Sequence, residues 1–315
     1  MFSAIFVTRV IFDRVVKNDP NKVFKMLQLF KNPNISFLKG RFWAYGFSLI
    51  CLGLGVFAFT MRGAQNYGVE FTGGTYVQVA FKQDVDQAKF RAQLEKQGLK
   101  SLTLQRFGEV HHHQYIVKMA EGNPSKVGAA AEATVGKGAF EIQKVDQVGP
   151  SVSGSLRDKA FWAIVWSWLG ILIYLGWRFE WKLAAAAVVA LVHDSMFAFG
   201  IYAISGREIN LATIAALLTI IGFSVNDTIV TFDRIRDNVK LMRKTPFSQI
   251  VDLSVNQTLS RTVLTTMTVL FGTLALFFFG GSAIADFAFI LIIGFVVGTY
   301  SSIFVASALA VDWKA

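Results

Sequence analysis

Six long apolar stretches constrain this chain more than any other feature of its sequence. They cover residues 43–61, 160–177, 183–204, 211–231, 263–279 and 287–311. Because an α-helix rises 1.5 Å per residue, about 20 apolar residues cross the roughly 30 Å hydrocarbon core of a bilayer. The chain is also 53% apolar overall. The sequence therefore predicts an integral membrane protein with six transmembrane helices.

The segment between the first and second stretches is less apolar and follows different periods. A period of two residues predicts strands at 71–81, 102–107, 115–119 and 140–148, and a period near 3.6 predicts helices at 85–97 and 127–135. The order βαββαβ is that of a ferredoxin-like sandwich. The predicted fold class is therefore a membrane all-α six-helix bundle with an inserted α+β ferredoxin-like domain.

These segments predict four parts of the chain. Residues 1–41 form an N-terminal segment, 42–61 the first membrane helix, 62–158 the inserted domain, and 159–315 the other five helices with a loop at 232–262.

Basic residues are unevenly placed along the chain, whose net charge is +10. They lie before the first span and between the fourth and fifth, as Arg9, Arg14, Lys17, Lys22, Lys25, Lys31, Lys39, Arg41, Arg234, Arg236, Lys240, Arg243, Lys244 and Arg261. The loop at 205–210 has only Arg207, and the loop at 280–286 has none. Since Lys and Arg collect in cytoplasmic loops, we predict cytoplasmic termini, an insert on the outer side, and no nucleic-acid partner.

Three consecutive histidines, His111, His112 and His113, raise the question of a metal site. Neighbouring side chains of an extended segment point in opposite directions, and no cluster of Cys or carboxylate residues accompanies them. A hairpin turn is therefore favoured, and we predict no metal and no cofactor. Cys51 is the only cysteine, so the insert contains no disulfide.

Two aspartates lie within the apolar stretches, where charged groups are rare and mark ion paths or pairing sites. Asp194 lies near the middle of the third span, beside His193. It is a candidate for proton conduction, and the alternative is a structural hydrogen bond between helices.

The second aspartate, Asp227, lies nearer the predicted cytoplasmic end of the fourth span, next to Asn226. Arg261, at the start of the fifth span, would approach it if the two spans were antiparallel neighbours. A carboxylate that gains and loses a guanidinium partner can act as a proton switch. The alternative for Arg261 is a simple anchor at the membrane surface.

Two further patterns concern helix packing. Gly294 and Gly298 form a GxxxG motif in the last span, which predicts close helix packing within the chain or against a partner. Apolar residues at helical spacing in 247–258 predict an interfacial helix before the fifth span.

Several long motifs occur in the order found in the SecF family. They are GVEFTGGT (68–75), VGPSV (148–152), HD (193–194), GFSVNDTIVTFDRIRDN (222–238), TLSRT (258–262), FGGSAIADFA (279–288) and GTYSSIFVASALA (298–310). The chain resembles this family from about residue 41 to its end. SecF in turn resembles one half of a transporter of the resistance-nodulation-division (RND) type.

This resemblance implies a non-enzymatic subunit of the bacterial inner membrane that couples the proton-motive force to late steps of preprotein export. The implied partners are SecD, the SecYEG channel, YajC, the translocating preprotein, protons and membrane lipid. The implied proton-conduction residues are Asp227, Arg261, Asp194, His193 and Asn226. The implied motif at the base of the insert consists of Phe71, Thr72, Gly73, Gly74, Thr75, Gly149 and Pro150.

Alternatives remain open from the sequence alone. An RND-type half-transporter for small molecules would have the same spans, and Asp194 with Asp227 suits an intramembrane aspartyl protease. A scaffold without proton flux and coupling to sodium also remain open. Residues 3–13 resemble residues 301–312 of the same chain. This suggests that residues 1–13 are the tail of a SecD-like last helix, left by a fused SecD–SecF reading frame or by a misplaced start.

Overall fold

A computed structural model describes residues 2–18, 29–30, 33–99, 102–107, 113–120 and 123–314. The chain divides into two units, Met1–Pro33 and Asn34–Ala315. The first unit contains the helix α1 (Phe2–Asn18). Its suggested relation to a SecD-like helix stays a prediction.

The second unit contains the remaining elements. In chain order they are α2 (Arg41–Arg62), α3 (Val69–Thr72), β1 (Gly74–Phe81), α4 (Gln87–Lys96), β2 (Leu102–Phe107), β3 (Gln114–Met119), α5 (Pro124–Val135), β4 (Phe140–Val148), α6 (Pro150–Arg178), α7 (Trp181–Ile204), α8 (Leu211–Leu241), α9 (Phe247–Phe279), α10 (Ser282–Ser301), a π-helical turn (Ser302–Ala306) and α11 (Ser307–Lys314). Six helical segments of the described chain are long and apolar enough to cross a membrane, which confirms the predicted number.

The centre of the membrane bundle is α7, which packs against α2, α6, α8 and α10. Its residues Ala184, Ala187, Ala190 and Ala198 are almost completely buried, and their small side chains let the neighbouring helices approach. In contrast, α2, α6 and α9 present most of their apolar surface outward. A helix with an apolar outer surface is suited to contact with lipid.

The predicted GxxxG motif packs within the chain, against α8. A methyl group added to Gly294 would lie 2.3 Å from Ile220 Cδ1, and one added to Gly298 would lie 3.1 Å from Ser224 Cβ. The two glycines are one turn apart, so they let α8 and α10 approach closely over that turn.

The insert contains a four-stranded sheet in the order β2-β3-β1-β4, and each pair of neighbours is antiparallel. Val77, Val79 and Val117 on one face pack with Phe90 of α4 and Val127 of α5. The predicted strands and helices of the insert are therefore present. The largest difference in a boundary is at the first strand, because Phe71 and Thr72 belong to α3, and β1 begins only at Gly74.

The helices α8 and α9 extend beyond the apolar stretches that predicted them. The amide of Asn238 donates to Ser254 Oγ and to Gln257 Oε1, both at 2.8 Å, so the two helices stay paired in this polar region. Residues 247–258 consequently belong to one continuous helix with the fifth span. The sequence predicted an interfacial helix at 247–258, but it did not predict that this helix pairs with α8.

The strands β2 and β3 pair with Phe107 opposite Gln114, so the chain reverses between them, as a hairpin requires. His111 and His112 lie outside the described residues. His113 Nδ1 lies 3.3 Å from the Asp84 carboxylate. Within the described ranges, no group of three potential metal ligands is found.

Candidate functional site

Asp194 lies where α7, α8 and α10 meet. Ser224 Oγ of α8 donates to its Oδ2 at 2.6 Å, and Ser301 Oγ of α10 donates to the same oxygen at 2.7 Å. The residue is only 1% exposed. Hydroxyl groups from two other helices thus surround one buried carboxylate, and this junction ties the three helices together.

The second oxygen of this carboxylate contacts the neighbouring histidine. His193 Nδ1 lies 2.9 Å from Asp194 Oδ1, and the centroid of the imidazole ring lies 5.6 Å from that of Phe197 and 6.5 Å from that of Tyr300. His193 Nε2 is buried and has no hydrogen-bond partner in the described part of the chain. The predicted pair is therefore brought together, with one ring nitrogen left available for a further partner.

Asp227 has different surroundings, although it lies only three residues after Ser224 on α8. It is 2% exposed, and its Oδ2 has no hydrogen-bond partner among the described residues. Three residues of helix correspond to a rise of about 4.5 Å on roughly the same face. Both oxygens of Asp194 already have partners, so the shared proton of an aspartyl-protease dyad has no support here.

Asn226 and Arg261 both lie on the outer surface of the bundle. No ion pair within 4.0 Å joins Arg261 to Asp227 in the described part of the chain. The helices that carry the two residues, α8 and α9, do pack together. The two side chains form no direct ion pair among the described residues, yet the charge of Arg261 is close enough to act on the Asp227 carboxyl, and the Asn226 side chain contacts that carboxyl.

The sequence identified neither Ser224 nor Ser301 as a partner of Asp194. A second missed contact is the pair of hydroxyls of Thr266 and Thr299, 2.7 Å apart across α9 and α10. The sequence feature that could have pointed to Ser301 is the pair of serines, Ser301 and Ser302, inside a mostly apolar stretch. A π-helical turn begins directly after Ser301, and such turns are frequent at functional sites.

The two motifs at the base of the insert lie against each other. Gly74 pairs with Val148, and a methyl group on Gly73 would lie 3.5 Å from Pro150 Cα. Gly73 has φ +77° and Gly74 has φ +120°, which L side chains rarely adopt. A methyl group on Gly74 would also lie 2.6 Å from the Met119 carbonyl oxygen. Both glycines are therefore required by the backbone.

The other predicted motif residues surround this crossing. Phe71 is buried, Thr72 Oγ1 donates to the Gly68 carbonyl, and Thr75 is buried in β1. Gly149 is the residue that precedes α6, and Pro150 is the first residue of that helix, a position that suits proline. The chain thus enters the insert and leaves it at one point.

Polar contacts join the insert to the ends of the membrane helices. Lys118 of β3 pairs with Glu208, and Glu70 of α3 accepts from the Leu211 N–H. Arg207 pairs with Asp286, and both of these residues belong to the membrane part of the chain. Burial, followed by the charge of Arg62, lowers the pKa of Lys118 to about 8. The loss of hydration is thus the main cause of the lowered pKa of Lys118.

The chain matches two family profiles. One is described as "Protein export membrane protein SecD/SecF, C-terminal" and covers residues 127–315. The other is described as "SecD/SecF GG Motif" and covers residues 66–85, which include Gly73 and Gly74.

Curated relatives match over nearly their whole length. The Protein translocase subunit SecF of Vibrio alginolyticus is 40% identical over 90% of this chain and 92% of its own. That of Desulfurispirillum indicum is 38% identical over 89% of this chain and 92% of its own.

Among solved structures, SecDF of Thermus thermophilus, described as a translocon-associated membrane protein, matches with a TM-score of 0.88 and 35% identity. The match covers 99% of this chain and 43% of the SecDF chain, so this chain spans less than half of that protein. A structure of SecDF in a super-membrane-facing form matches with a TM-score of 0.73. With its motifs, profile matches and relatives, the chain belongs to the SecF branch of the SecD/SecF family of protein export membrane proteins.

Proposed function

We propose that this chain is a SecF-type subunit that couples the proton-motive force to late steps of preprotein export across the bacterial plasma membrane. In this arrangement both termini are cytoplasmic, and residues 62–158 form a domain on the outer side. The family membership supports the export role, and the distribution of Lys and Arg supports the orientation.

For the inserted domain we propose the ferredoxin-like fold. The sheet order β2-β3-β1-β4 supports it, as do the antiparallel pairing of all neighbours and the positions of α4 and α5 after β1 and β3. The crossing of the two base motifs is proposed as the hinge through which movement of the membrane helices reaches this domain. Residues in the φ > 0 region cluster at such functional points.

The proton-coupling proposal rests mainly on the buried carboxylate of Asp227, which lacks a partner on one oxygen. A buried carboxylate without full hydrogen bonding is unfavourable when charged, so its protonation state responds strongly to an approaching cation. Arg261 of the adjacent helix is such a cation. We propose that Asp227 takes up and releases a proton as this guanidinium approaches and withdraws, with His193, Asp194 and Asn226 as further members of the path.

A second membrane protein of the SecD type is proposed to cover the outer surface of α8 and α9. On α8, Ala215, Thr219, Gly222 and Asn226 are exposed at spacings of four and three residues. Small and polar residues mark helix interfaces in membranes, whereas polar groups facing lipid are rare. Arg261 lies on the exposed side of the adjacent α9. SecYEG, YajC and the preprotein are proposed as further partners through the family relationship.

Asp227→Asn tests this function, because asparagine preserves the shape of the side chain and removes its titrating proton. In membrane vesicles with the complete export machinery, we expect this variant to lose the stimulation of export by a proton gradient while it still assembles. Asp237→Asn, an exposed aspartate on the same helix, should behave as the unchanged protein. Normal gradient-dependent export by Asp227→Asn would disprove the coupling role. Imposing the pH gradient and the sodium gradient separately on the vesicles distinguishes coupling to protons from coupling to sodium.

A further inference from the structure

An apolar cleft of about 340 Å³ lies between α2, α6 and α7, close to the insert. Its walls include Phe59 of α2 and Ile164 of α6, Met196 of α7 lies within it, and Phe71 of α3 also contributes. The volume falls within the range of about 300–1,000 Å³ that is usual for small-molecule sites. The cleft is distinct from the Asp194 and Asp227 sites, neither of which lines it.

The cleft opens toward the outside of the bundle. Met196 is 45% exposed, although α7 is otherwise mostly buried, and Val56 and Phe161 at the sides are also exposed. These residues belong to helices that are long and apolar enough to cross a membrane. The material that reaches this opening in a membrane is therefore lipid.

Among the described residues, Arg157 is the only charged one that lines the cleft. It precedes the apolar stretch of α6 by three residues, and Arg62 follows the apolar stretch of α2 at the same, insert-facing end. Arginine at such a height reaches the headgroup region of the bilayer. Arg157 makes no ion pair or hydrogen bond in the described part of the chain. The neighbouring Asp158 is turned about 100° around the helix.

We propose that this cleft binds one acyl chain of an anionic phospholipid, with Arg157 contacting the phosphate of its headgroup. The apolar walls suit the chain, and the single unpaired guanidinium suits the negative headgroup. Phe71 lies two residues before Gly73 and contacts this space. A bound lipid therefore touches the segment through which the insert joins the membrane helices.

The test compares phosphatidylglycerol with phosphatidylethanolamine of the same acyl chains, bound to the purified full chain and counted by native mass spectrometry. We expect about a fivefold preference for phosphatidylglycerol, the size typical of one basic residue at a lipid surface. Arg157→Gln should remove this preference. Lys159→Gln, an exposed charge on the same helix outside the cleft, should retain it.

A second pair of variants tests the cleft itself. Met196→Trp should fill it and reduce the binding of both lipids, whereas Val189→Trp, at another exposed position of α7 outside the cleft, should not. Equal binding of the two lipids by the unchanged chain, or undiminished binding by Met196→Trp, would overturn the proposal. If Met196→Trp does not fold, the comparison of Arg157→Gln with Lys159→Gln decides, because both positions are exposed.

Discussion

Asp194 and Asp227 are both buried carboxylates in the membrane bundle, yet their surroundings differ. Asp194 has partners on both oxygens, supplied by its own helix and by two others. Asp227 has one oxygen without a partner in the described chain, and it lies beside the outward-facing Asn226. A fully satisfied group holds its position, whereas an unsatisfied one gains from any new partner. The difference suggests that Asp194 maintains the junction and that Asp227 changes state.

The largest effect should come from removing the satisfied carboxylate. Asp194→Ala removes the acceptor of Ser224 and His193 and leaves Ser301 with the Gly298 carbonyl. We therefore expect the free energy of unfolding to fall by roughly 2–4 kcal/mol. Asp227→Ala should change it by less than about 1 kcal/mol, because fewer contacts are lost. Unfolding in mixed detergent micelles measures both values. Equal losses for the two variants would remove the proposed distinction.

A smaller effect is expected from removing one hydroxyl of the junction. Ser301→Ala deletes the donor to Asp194 Oδ2 and should destabilise the chain by about 0.6 kcal/mol, a typical value for hydrogen bonds between membrane helices. Ser302→Ala is the matched control, because the Ser302 hydroxyl donates only locally, to the Thr299 carbonyl. If both variants lose the same stability, the interhelical bond has no special contribution.

The smallest effect concerns Lys118, a half-buried charge that pairs with Glu208 at the insert interface. Its pKa is lowered from 10.5 to about 8 when the insert is docked. Between these pH values the docked form binds fewer protons than a form with hydrated Lys118, so docking should strengthen as the pH rises from 8 to 10.5. If loss of the Lys118–Glu208 ion pair were the only effect, docking would instead weaken as the pH rises.

Spin labels at Lys126→Cys and Phe279→Cys, in a Cys51→Ala background, would report the distance between the insert and the membrane helices. The short-distance fraction should increase over this pH window. Lys118→Arg, which keeps its charge throughout, should remove the dependence. A short-distance fraction that falls as the pH rises, or that rises equally in Lys118→Arg, would contradict the deprotonation of Lys118 as the cause.

Much of the fold was predictable because it depends on properties local to the chain. The lengths of the apolar stretches indicated six spans, and the periods of residues 71–148 indicated the strands and helices of the insert. The errors lie at boundaries. The sequence does not reveal that Gly73 and Gly74 adopt positive φ, which ends α3 and delays β1.

The candidate site was predictable only in part. An aspartate in an apolar stretch is conspicuous, so Asp194 and Asp227 were identified at once. Their partners were not, since Ser301 is 107 residues from Asp194 in the sequence. Arg261 was expected beside Asp227, but its position on the outer side of α9 depends on how that helix is rotated.

The sequence by itself determined the number of membrane helices, the place of the insert and the family. Tertiary structure alone decided that Asp194 is fully hydrogen-bonded, that Gly294 and Gly298 face α8, and that a cleft opens beside Arg157. The physical reason is that periodicity defines which residues share a face of one helix. Which face meets which neighbour is set by the packing and rotation of several helices together.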